Sequence, residues 1–380
     1  MRLLIALGLM LVVACSPGPA ASPGRASSTA QPSPTPPPPR IVVLGAVNDQ
    51  LTLTIADLAG TVLARATLAP MPRPLVTNAG DVMPAPVRLA AGAAYYAVPT
   101  GQVHRLDPTG ADAVVATFPL TSVQQELSFA VSPDGKQLMA MVLTAPPVHD
   151  PPPADISQPF FRPGTRWSQE LELATAGGPT QSLAKTDLGP AGGPGRGPVP
   201  APATIAGWVN GGPLALLDTT LATQQALAST RLPGSALVHL GPDGARREQV
   251  GGAGCHPLDE LRDGTMLCYT GSGWPSTYEV RSAAGQLLWR QDLAGGFYYD
   301  PWLSPDGRRL AAENTLFTQD VRPASIARQS TPQLPVHAAG WVTADTLAVS
   351  AADGTVQLAV VNDLEHPRDT GLKGRFIGTL

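Results

Sequence analysis

Residues 301–311 have the sequence PWLSPDGRRLA, the pattern of a β-hairpin. The apolar residues on either side of Ser304–Gly307 fit two strands, and these four residues fit a tight turn between them. In such a turn, proline presets φ at the second position, aspartate suits the third, and glycine accepts the left-handed backbone that closes the hairpin. The same four residues occur again at Ser132–Gly135, between the β-prone runs LSFAV and KQLMAMVL.

A second kind of hairpin, with a glycine in its turn, occurs five times along the chain. Its turn glycines are Gly60, Gly110, Gly178, Gly244 and Gly285. Looser copies of the first hairpin contain Trp208 and Trp341, which are 133 residues apart, while the two Ser-Pro-Asp-Gly turns are 172 residues apart. Both distances are multiples of a period of about 43–44 residues, which is typical of a four-stranded propeller blade.

We therefore expect an all-β fold, a β-propeller of about seven four-stranded blades, with six or eight blades remaining possible. The predicted blades are 41–70, 84–118, 127–185, 204–250, 256–292, 297–330 and 335–379. The segment Arg375–Leu380 is expected to pair beside the N-terminal strands and so close the ring, which removes exposed sheet edges. Trp208, Trp302 and Trp341 hold equivalent positions and are expected to pack between blades rather than to form an aromatic ligand box.

The PWLSPDGRRLA stretch closely resembles the repeat of the WD40-like family found in TolB-type propellers. The resemblance is specific at Ser132–Gly135 and at Ser304–Gly307 and looser in the other repeats. It therefore supports the fold more than any activity. Asp134 and Asp306 are interpreted as turn residues rather than as calcium ligands.

The N-terminal segment has the features of a bacterial export signal. After Arg2, an apolar run covers residues 3–14 and ends directly before Cys15. A run of twelve residues is too short to span a bilayer. The sequence VVAC at residues 12–15 resembles the lipobox of bacterial lipoproteins, which implies that residues 1–14 are cleaved and that Cys15 is lipidated. The alternative is an ordinary secretory signal with a chance cysteine.

The next segment, up to residue 40, is rich in proline and serine and holds no large apolar residue. It cannot bury enough surface to fold and is expected to be a disordered tether. The expected organisation is a signal peptide at 1–14, the lipidated cysteine and tether at 15–40, and the propeller domain at 41–380. The protein would then be extracytoplasmic and lipid-anchored to the cell membrane, inner or outer.

The charges and cysteines limit the partners further. The formal net charge is −4, and no block of like charge is present, so nucleic acid is not an expected partner.

Cys255 and Cys268 form an even pair in an oxidising compartment and are expected to form a disulfide. The expected strand register places Cys268 opposite residue 258 or 259. A redox-active pair is the lesser alternative, since no C-x-x-C motif occurs.

The sequence contains no local catalytic or cofactor-binding motif. No two of the six histidines have the close spacing of a metal-binding pair. A G-x-S-x-G nucleophile motif is absent, and no glycine-rich stretch has the flanks of a phosphate-binding loop. We therefore predict no catalytic residue, no cofactor and no metal, although a site assembled across blades remains open.

Three long segments interrupt the repeats, at 145–166, 186–203 and 219–234. In an antiparallel blade, all three should leave the ring on the same face, above two neighbouring blades. Long loops on a rigid scaffold often carry function. The first contains an aromatic and arginine cluster of the kind enriched at interaction surfaces, a possible partner-binding loop: Phe160, Phe161, Arg162, Arg166 and Trp167. The alternative is solvated insertions without function.

Three classes of function fit these features. The favoured class is an envelope-anchored, non-catalytic binding or scaffold propeller, with the membrane as one partner through the lipid and an unidentified protein or cell-wall component as another. The first alternative is a propeller enzyme, a hydrolase or lyase, with its active site at the central channel. The second alternative is an accessory subunit of an envelope complex.

Overall fold

The computed structural model describes thirteen ranges of the chain, and every regular element within them is a β-strand. The ranges are 37–47, 50–69, 87–122, 124–149, 161–190, 203–217, 236–251, 255–261, 263–270, 276–293, 301–319, 321–325 and 337–380. They contain 28 strands in seven four-stranded antiparallel sheets. The fold is a seven-bladed β-propeller, as the spacing of the repeats predicts.

Blades one to four contain the first fifteen strands and the last one. Blade one consists of β1 (Ile41–Val47), β2 (Gln50–Ala56), β3 (Val62–Thr67) and the C-terminal β28 (Arg375–Thr379). Blade two consists of β4 (Val87–Ala90), β5 (Ala93–Ala97), β6 (Gln102–Leu106) and β7 (Asp112–Thr117). Blade three consists of β8 (Gln125–Val131), β9 (Gln137–Thr144), β10 (Arg166–Thr175) and β11 (Thr180–Pro190). Blade four consists of β12 (Thr204–Val209), β13 (Gly212–Leu217), β14 (Ala236–Leu240) and β15 (Arg246–Gln249).

The remaining three blades follow in chain order. Blade five consists of β16 (His256–Glu260), β17 (Met266–Thr270), β18 (Ser276–Arg281) and β19 (Leu287–Leu293). Blade six consists of β20 (Trp302–Leu303), β21 (Arg309–Ala312), β22 (Thr315–Thr318) and β23 (Val321–Ser325). Blade seven consists of β24 (His337–Thr343), β25 (Thr346–Ser350), β26 (Thr355–Val360) and β27 (Asp363–Lys373).

The inner strands of the ring are β28, β4, β8, β12, β16, β20 and β24. In every blade except blade one, the inner strand is the first of the blade in chain order. Where they are neighbours, several of them contact one another directly, as β8 does with β4 and β12. All inner strands run in the same direction. The turn after each inner strand and the turn between the outer two strands therefore lie on one face, here the short-turn face. The other connections leave from the opposite face, here the insertion face.

The two Ser-Pro-Asp-Gly turns join inner strands to second strands and have the same geometry. The amide of Gly135 donates to the Ser132 carbonyl at 2.8 Å, and that of Gly307 donates to the Ser304 carbonyl at 2.8 Å. Each serine hydroxyl also donates to the aspartate two residues later, at 2.7 and 2.6 Å. Both glycines have a positive φ, as the sequence pattern requires.

The turn glycines of the second hairpin lie between the third and fourth strands of their blades, counted outward from the axis, and four of the five have a left-handed backbone. These four are Gly60, Gly110, Gly244 and Gly285. In blade three, the residue with positive φ is Gly177, and Gly178 is the next residue of the same turn. The amide of Gly178 donates to Thr175 and closes the turn.

The C-terminal strand closes the ring as predicted. β28 pairs antiparallel with β1, with Val42 opposite Gly378 and Leu44 opposite Arg375. The backbones of Arg40 and Leu380 extend this pairing by two further hydrogen bonds, at 3.3 and 2.9 Å. Blade one is therefore built from both ends of the domain.

The hydrophobic core consists of layers between neighbouring blades. Between blades two and three, for example, Tyr95 and Phe129 are buried in one apolar cluster. The tryptophans take part in this packing: Trp341 Nε1 donates to the Trp302 carbonyl across blades six and seven at 2.8 Å. Trp208 packs at the interface of blades three and four.

One predicted segment boundary and one predicted strand register are corrected. β11 continues to Pro190 because Trp167 and Arg166 on β10 pair with Gly189 and Pro190, so the segment after blade three begins at residue 191, not 186. In blade five, Cys268 lies opposite Pro257 instead of residue 258 or 259. The cause is a bulge between Pro257 and Asp259, which a count from the turn does not include.

Candidate functional site at the insertion face

Arg88 is the most unusual charged residue beside the central channel. It lies on β4, and alternation along this strand sends Val87 and Leu89 toward blade one and Arg88 toward blade three. Its Nε donates to the Phe129 carbonyl at 2.8 Å and its Nη1 to the Val87 carbonyl at 3.0 Å. Its Nη2 reaches the Ile205 carbonyl on blade four at 3.3 Å. One side chain thus connects the inner strands of three blades.

The charge of Arg88 has no carboxylate partner among the described residues. Its guanidinium lies 6.0 Å from the centre of the Phe129 ring. Burial, together with a smaller effect of the positive charge of Arg375, lowers the pKa of Arg88 to about 10. Arg375 is the first residue of β28, on the neighbouring blade, and is exposed. Both arginines thus lie near the starts of neighbouring inner strands, toward the insertion face.

Glu126 is a second unusual group on the same face. It lies near the start of β8, and its Oε2 atom is inaccessible to solvent and accepts no hydrogen bond. Burial raises the pKa of Glu126 to about 7. The nearby Gln124 also has a buried, unpaired Oε1 atom. These oxygens could accept hydrogen bonds from a donor group.

Hydrogen bonds join blades three and four beside this group. Gln169 on β10 lies in the same cross-strand row as Glu126 on β8, with Leu143 of β9 between them. Gln169 accepts a hydrogen bond from the Ala203 amide at 3.0 Å. Ser128 accepts one from the Ile205 amide at 3.0 Å. Side chains of blade three thus satisfy the backbone at the start of the blade-four inner strand and hold the two blades in register.

The aromatic residues of the predicted partner-binding loop point into the protein. Phe161 and Trp167 are 3% and 1% exposed, and their rings pack edge to face at a distance of 5.3 Å. They form a small core with Leu143 and Ala145. The expectation of exposed aromatic contacts is therefore corrected for these two residues, because burying their large apolar surfaces stabilises the base of the loop. Phe160 lies outside the described residues.

The arginines of the same loop lie at the surface. Arg162 donates from Nε to the Val148 carbonyl at 3.1 Å, next to an isolated bridge between Val148 and Phe161. Arg166 forms an ion pair with Asp187 on β11 at 2.5 Å. The loop base therefore holds Arg162 in place, and β11 holds Arg166. The structure thus places Arg162 and Arg166 at the surface and buries Phe161 and Trp167.

A groove of about 600 Å³ lies between blades two and three. Glu170 and Glu172 on β10 form one wall, and Val114 and Ala116 on β7 contribute to the other. Burial raises the pKa of Glu172, and the charge of Glu170 adds to this effect. The groove is acidic, but Lys185 already lies 3.6 Å from Glu170.

A buried acid and imidazole pair lies between blades four and five on the short-turn face. His239 Nε2 is 3.5 Å from Glu260 Oε1, and the two side chains are 14% and 5% exposed. Burial raises the pKa of Glu260 to about 7, and the charge of Asp259 adds to this effect. The pair could exchange a proton, but among the described residues no three His, Cys, Asp or Glu side chains are placed to hold a metal ion.

The two cysteines of blade five are joined in the structure. Cys255 and Cys268 form a disulfide with a Cα–Cα distance of 5.1 Å, and both are buried. Gly251 lies directly against this bridge, since a Cβ atom there would stand 2.2 Å from Cys255 Sγ. Positive φ at Gly251 also favours glycine at this position.

The remaining predicted features lie outside the described residues. These are Cys15, the signal segment, the tether up to residue 36 and the insertion at 219–234. In the part of the chain that the structure covers, no helix has the length and apolarity needed to cross a membrane.

Sequence reasoning missed Arg88 and Glu126 as channel residues. The available signal was weak: each is the only charged residue of its inner strand, VRLA for β4 and QELSFAV for β8. A charge at such a position indicates a special environment. Its partners cannot be deduced from spacing, because Ile205 is 117 residues away from Arg88 in the chain.

Comparison with known proteins shows similarity to other propellers at low identity. An oligogalacturonate lyase from Vibrio parahaemolyticus is 9% identical over 82% of this chain and 83% of that one, with a TM-score of 0.49. An oligogalacturonate lyase in complex with manganese is 11% identical over 82% of both chains, with a TM-score of 0.48. TolB from Acinetobacter baumannii is 12% identical over 90% of this chain and 66% of that one, with a TM-score of 0.37. Identities this low bear on the fold alone. No family model and no curated protein matches the chain.

Proposed function

We propose that this chain is an envelope-anchored, non-catalytic propeller that binds a partner on the insertion face of blades three and four. The observation that carries the proposal is the position of the strand ends. On this face β9, β11 and β13 end and the strands that follow them, β10, β12 and β14, begin. The three longest connections of these two blades therefore start and finish side by side.

The base of the first connection is built to hold surface groups in place. The core of Phe161 and Trp167 orders the chain on both sides of the loop, and the Val148–Phe161 bridge closes it. Arg162 and Arg166 extend from this base at the surface. Arginine is enriched at protein interfaces because its planar guanidinium makes several directed hydrogen bonds.

The envelope location rests on the N-terminal sequence. The apolar run before Cys15 and its resemblance to a lipobox support a lipid anchor, and the proline-rich segment that follows supports a spacer between membrane and ring. The partner is a protein or a cell-wall component. Nothing among the described residues favours the enzyme or the accessory-subunit alternative over this function.

Charge reversal on the loop tests the proposal. Deleting residues 148–164 would also remove Phe161 and uncover Trp167, so the double variant Arg162→Glu, Arg166→Glu is the sharper change. The matched control is Lys136→Glu, Arg308→Glu, which makes the same charge change at exposed residues of the short-turn face. Chemical cross-linking in intact cells, followed by mass spectrometry, measures partner capture.

The two outcomes are distinct. We expect the loop variant to lose the partner that the wild-type chain and the control both cross-link, while all three proteins retain the same thermal stability. Equal capture of the same partner by all three proteins would show that the loop is not the binding surface.

A further inference from the structure

The groove between blades two and three has one negatively charged wall. Of its described lining residues, only Glu170 and Glu172 carry a charge, and both lie on β10. They are two positions apart on this strand, so both side chains project from the same side of the sheet. Glu172 pairs across the ladder with Ala140, which is buried in the core between blades two and three. Both carboxyl groups therefore face blade two across the groove.

The two carboxyl groups differ in their neutralisation. Lys185 on β11 lies 3.6 Å from Glu170, although the lysine side chain itself is 70% exposed. Glu172 has no ion pair or hydrogen bond from its side chain to any of the described residues. Burial raises the pKa of Glu172, the charge of Glu170 adds to this effect, and no cation opposes it. A positive charge in the groove would relieve both effects.

The opposite wall of the groove is apolar and is tied to the first. Val115 on β7 packs against the core between the two blades, and two prolines also line the groove. The amide of Gly177 donates to the Val115 carbonyl at 2.8 Å. The hydroxyl of Thr180 donates to the Thr117 carbonyl at 2.6 Å. These two hydrogen bonds join the turn of blade three to the edge of blade two, so a ligand would meet walls that are already in position.

One acidic and one apolar wall match a basic segment of a protein chain. The groove volume of about 600 Å³ lies within the range of ligand clefts, about 300–1,000 Å³. A lysine or arginine side chain has a charged head on an apolar stem, so its head can reach Glu172 while its stem lies along Val115. In an extended chain, alternate side chains project to one side, as Glu170 and Glu172 do.

A divalent metal ion fits this groove less well than a basic side chain. Hard cations such as Ca²⁺ take six to eight oxygen ligands. Among the described residues, no three His, Cys, Asp or Glu side chains are placed to hold a metal ion. The apolar wall would also contribute nothing to the binding of a bare ion.

We propose that this groove binds an extended basic segment of a partner protein, with a lysine or arginine side chain against Glu172. The ammonium or guanidinium group neutralises the carboxylate, and small apolar residues beside it pack against β7. Lys185 competes for the neighbouring Glu170. The site goes beyond the proposed function, because it is built by β7, β10 and β11 and requires neither the lipid anchor nor the loop at 145–166.

Calorimetric titration of the full chain near neutral pH tests the groove. The probes are the acetylated and amidated peptide Ala-Lys-Val-Lys-Ala, its acidic counterpart Ala-Glu-Val-Glu-Ala, and spermidine, a polyamine without apolar side chains. The variants are Glu172→Gln and Lys185→Gln, and the matched control is Glu365→Gln, at an exposed carboxylate of blade seven. Because Lys185 is exposed, its variant reports on binding even if Glu172→Gln does not fold.

We expect the basic peptide to bind the wild-type chain more tightly than the other two probes, with an affinity that falls as salt is added. Glu172→Gln should weaken this binding at least about fivefold. Lys185→Gln should strengthen it about twofold, because a competing surface ion pair is removed. Glu365→Gln should leave it unchanged.

The proposal is overturned if the basic peptide does not bind at about 1 mM, or if the acidic peptide binds as well. Equal binding of spermidine would also overturn it, because charge alone would then explain the affinity. It is likewise overturned if neither Glu172→Gln nor Lys185→Gln changes the affinity for the basic peptide.

Discussion

The ring of Phe376, on the C-terminal strand of blade one, lies against Gly340 on the inner strand of blade seven. A Cβ atom at Gly340 would stand 2.8 Å from Phe376 Cε1. Gly340 also has a φ of +146°, a backbone conformation that other residues rarely adopt. Blades one and seven therefore pack closely at this point, because glycine at position 340 leaves room for the ring of Phe376.

Phe376→Ala should destabilise the closed ring. The side chain is 5% exposed and packs in the core between blades seven and one, so its removal leaves a cavity. We expect the free energy of unfolding to fall by about 3–5 kcal/mol, measured by chemical denaturation. Val360→Ala, at a 47% exposed valine, is the control and should change it by less than about 0.5 kcal/mol. Equal effects of the two changes would contradict a closing role for β28.

The stability of the protein should fall as the pH rises from about 4.5 to 7. Burial raises the pKa of Glu126 and of Glu260 from 4.5 to about 7. A carboxyl group with a raised pKa binds its proton more tightly in the folded chain, so the folded state loses stability as that proton leaves. Glu126→Gln should therefore raise the free energy of unfolding at pH 8 and not at pH 4, whereas Glu365→Gln, at an exposed position, should do neither.

Below pH 4 the dependence should reverse. A hydrogen bond from Ser132 holds the pKa of Asp134 at about 2, and hydrogen bonds from Thr355 do the same for Asp353. The contribution of these carboxylates is present above their ordinary pKa of 3.8 and is lost as the pH falls toward 2. Thermal unfolding followed from pH 2 to 8 should show maximal stability near pH 4–5; a steady rise up to pH 7 would contradict this.

The disulfide should make blade five resistant to alkylation. Cys255 and Cys268 should be modified by iodoacetamide only after reduction, as measured by mass spectrometry. The bridge closes a loop with a sequence separation of 13, so the Cys255→Ser, Cys268→Ser double variant should lose about 3 kcal/mol of stability. Alkylation of both residues in the unreduced protein, isolated from cells, would show that the bridge does not form there.

Cys15→Ser should release the protein from membranes. The substitution removes the thiol that would carry the lipid, and without acyl chains the proline-rich segment provides no apolar surface to hold the chain at a bilayer. Metabolic labelling with a clickable fatty acid and membrane fractionation measure the effect. Ser16→Ala is the matched control and should keep both the label and the membrane location. A fully membrane-bound Cys15→Ser protein argues against the anchor.

Much of the architecture was predictable because propeller blades are local structures. Each hairpin is formed by residues close in sequence, and its turn needs a particular residue at a particular position. The Ser132–Gly135 and Ser304–Gly307 turns therefore appear in the structure where the sequence predicts them. Even here, local detail escaped prediction: a bulge between Pro257 and Asp259 places Cys268 opposite Pro257 instead of residue 258 or 259.

The loop cluster shows where sequence patterns become ambiguous. Aromatic residues beside arginines are typical both of interaction surfaces and of small cores under long loops, and the sequence of 160–167 fits either. For Phe161 and Trp167 the structure shows a small core: both side chains are buried, and their ring centres are 5.3 Å apart. The choice depends on whether neighbouring strands leave room for the rings, which residue spacing does not show.

The sequence by itself determined the strand-rich repeat, the period and the pairing of the C-terminal strand with the first blade, because each depends on local turns or on the count of repeats. Only the tertiary structure decided which distant residues meet at the channel. Arg88 contacts carbonyls that are 41 and 117 residues away in the chain, and the Oε2 atom of Glu126 is buried without a hydrogen-bond partner. The physical reason is that closing seven blades into a ring brings the inner strands together around one axis, and the environment of each charge there depends on all of its neighbours at once.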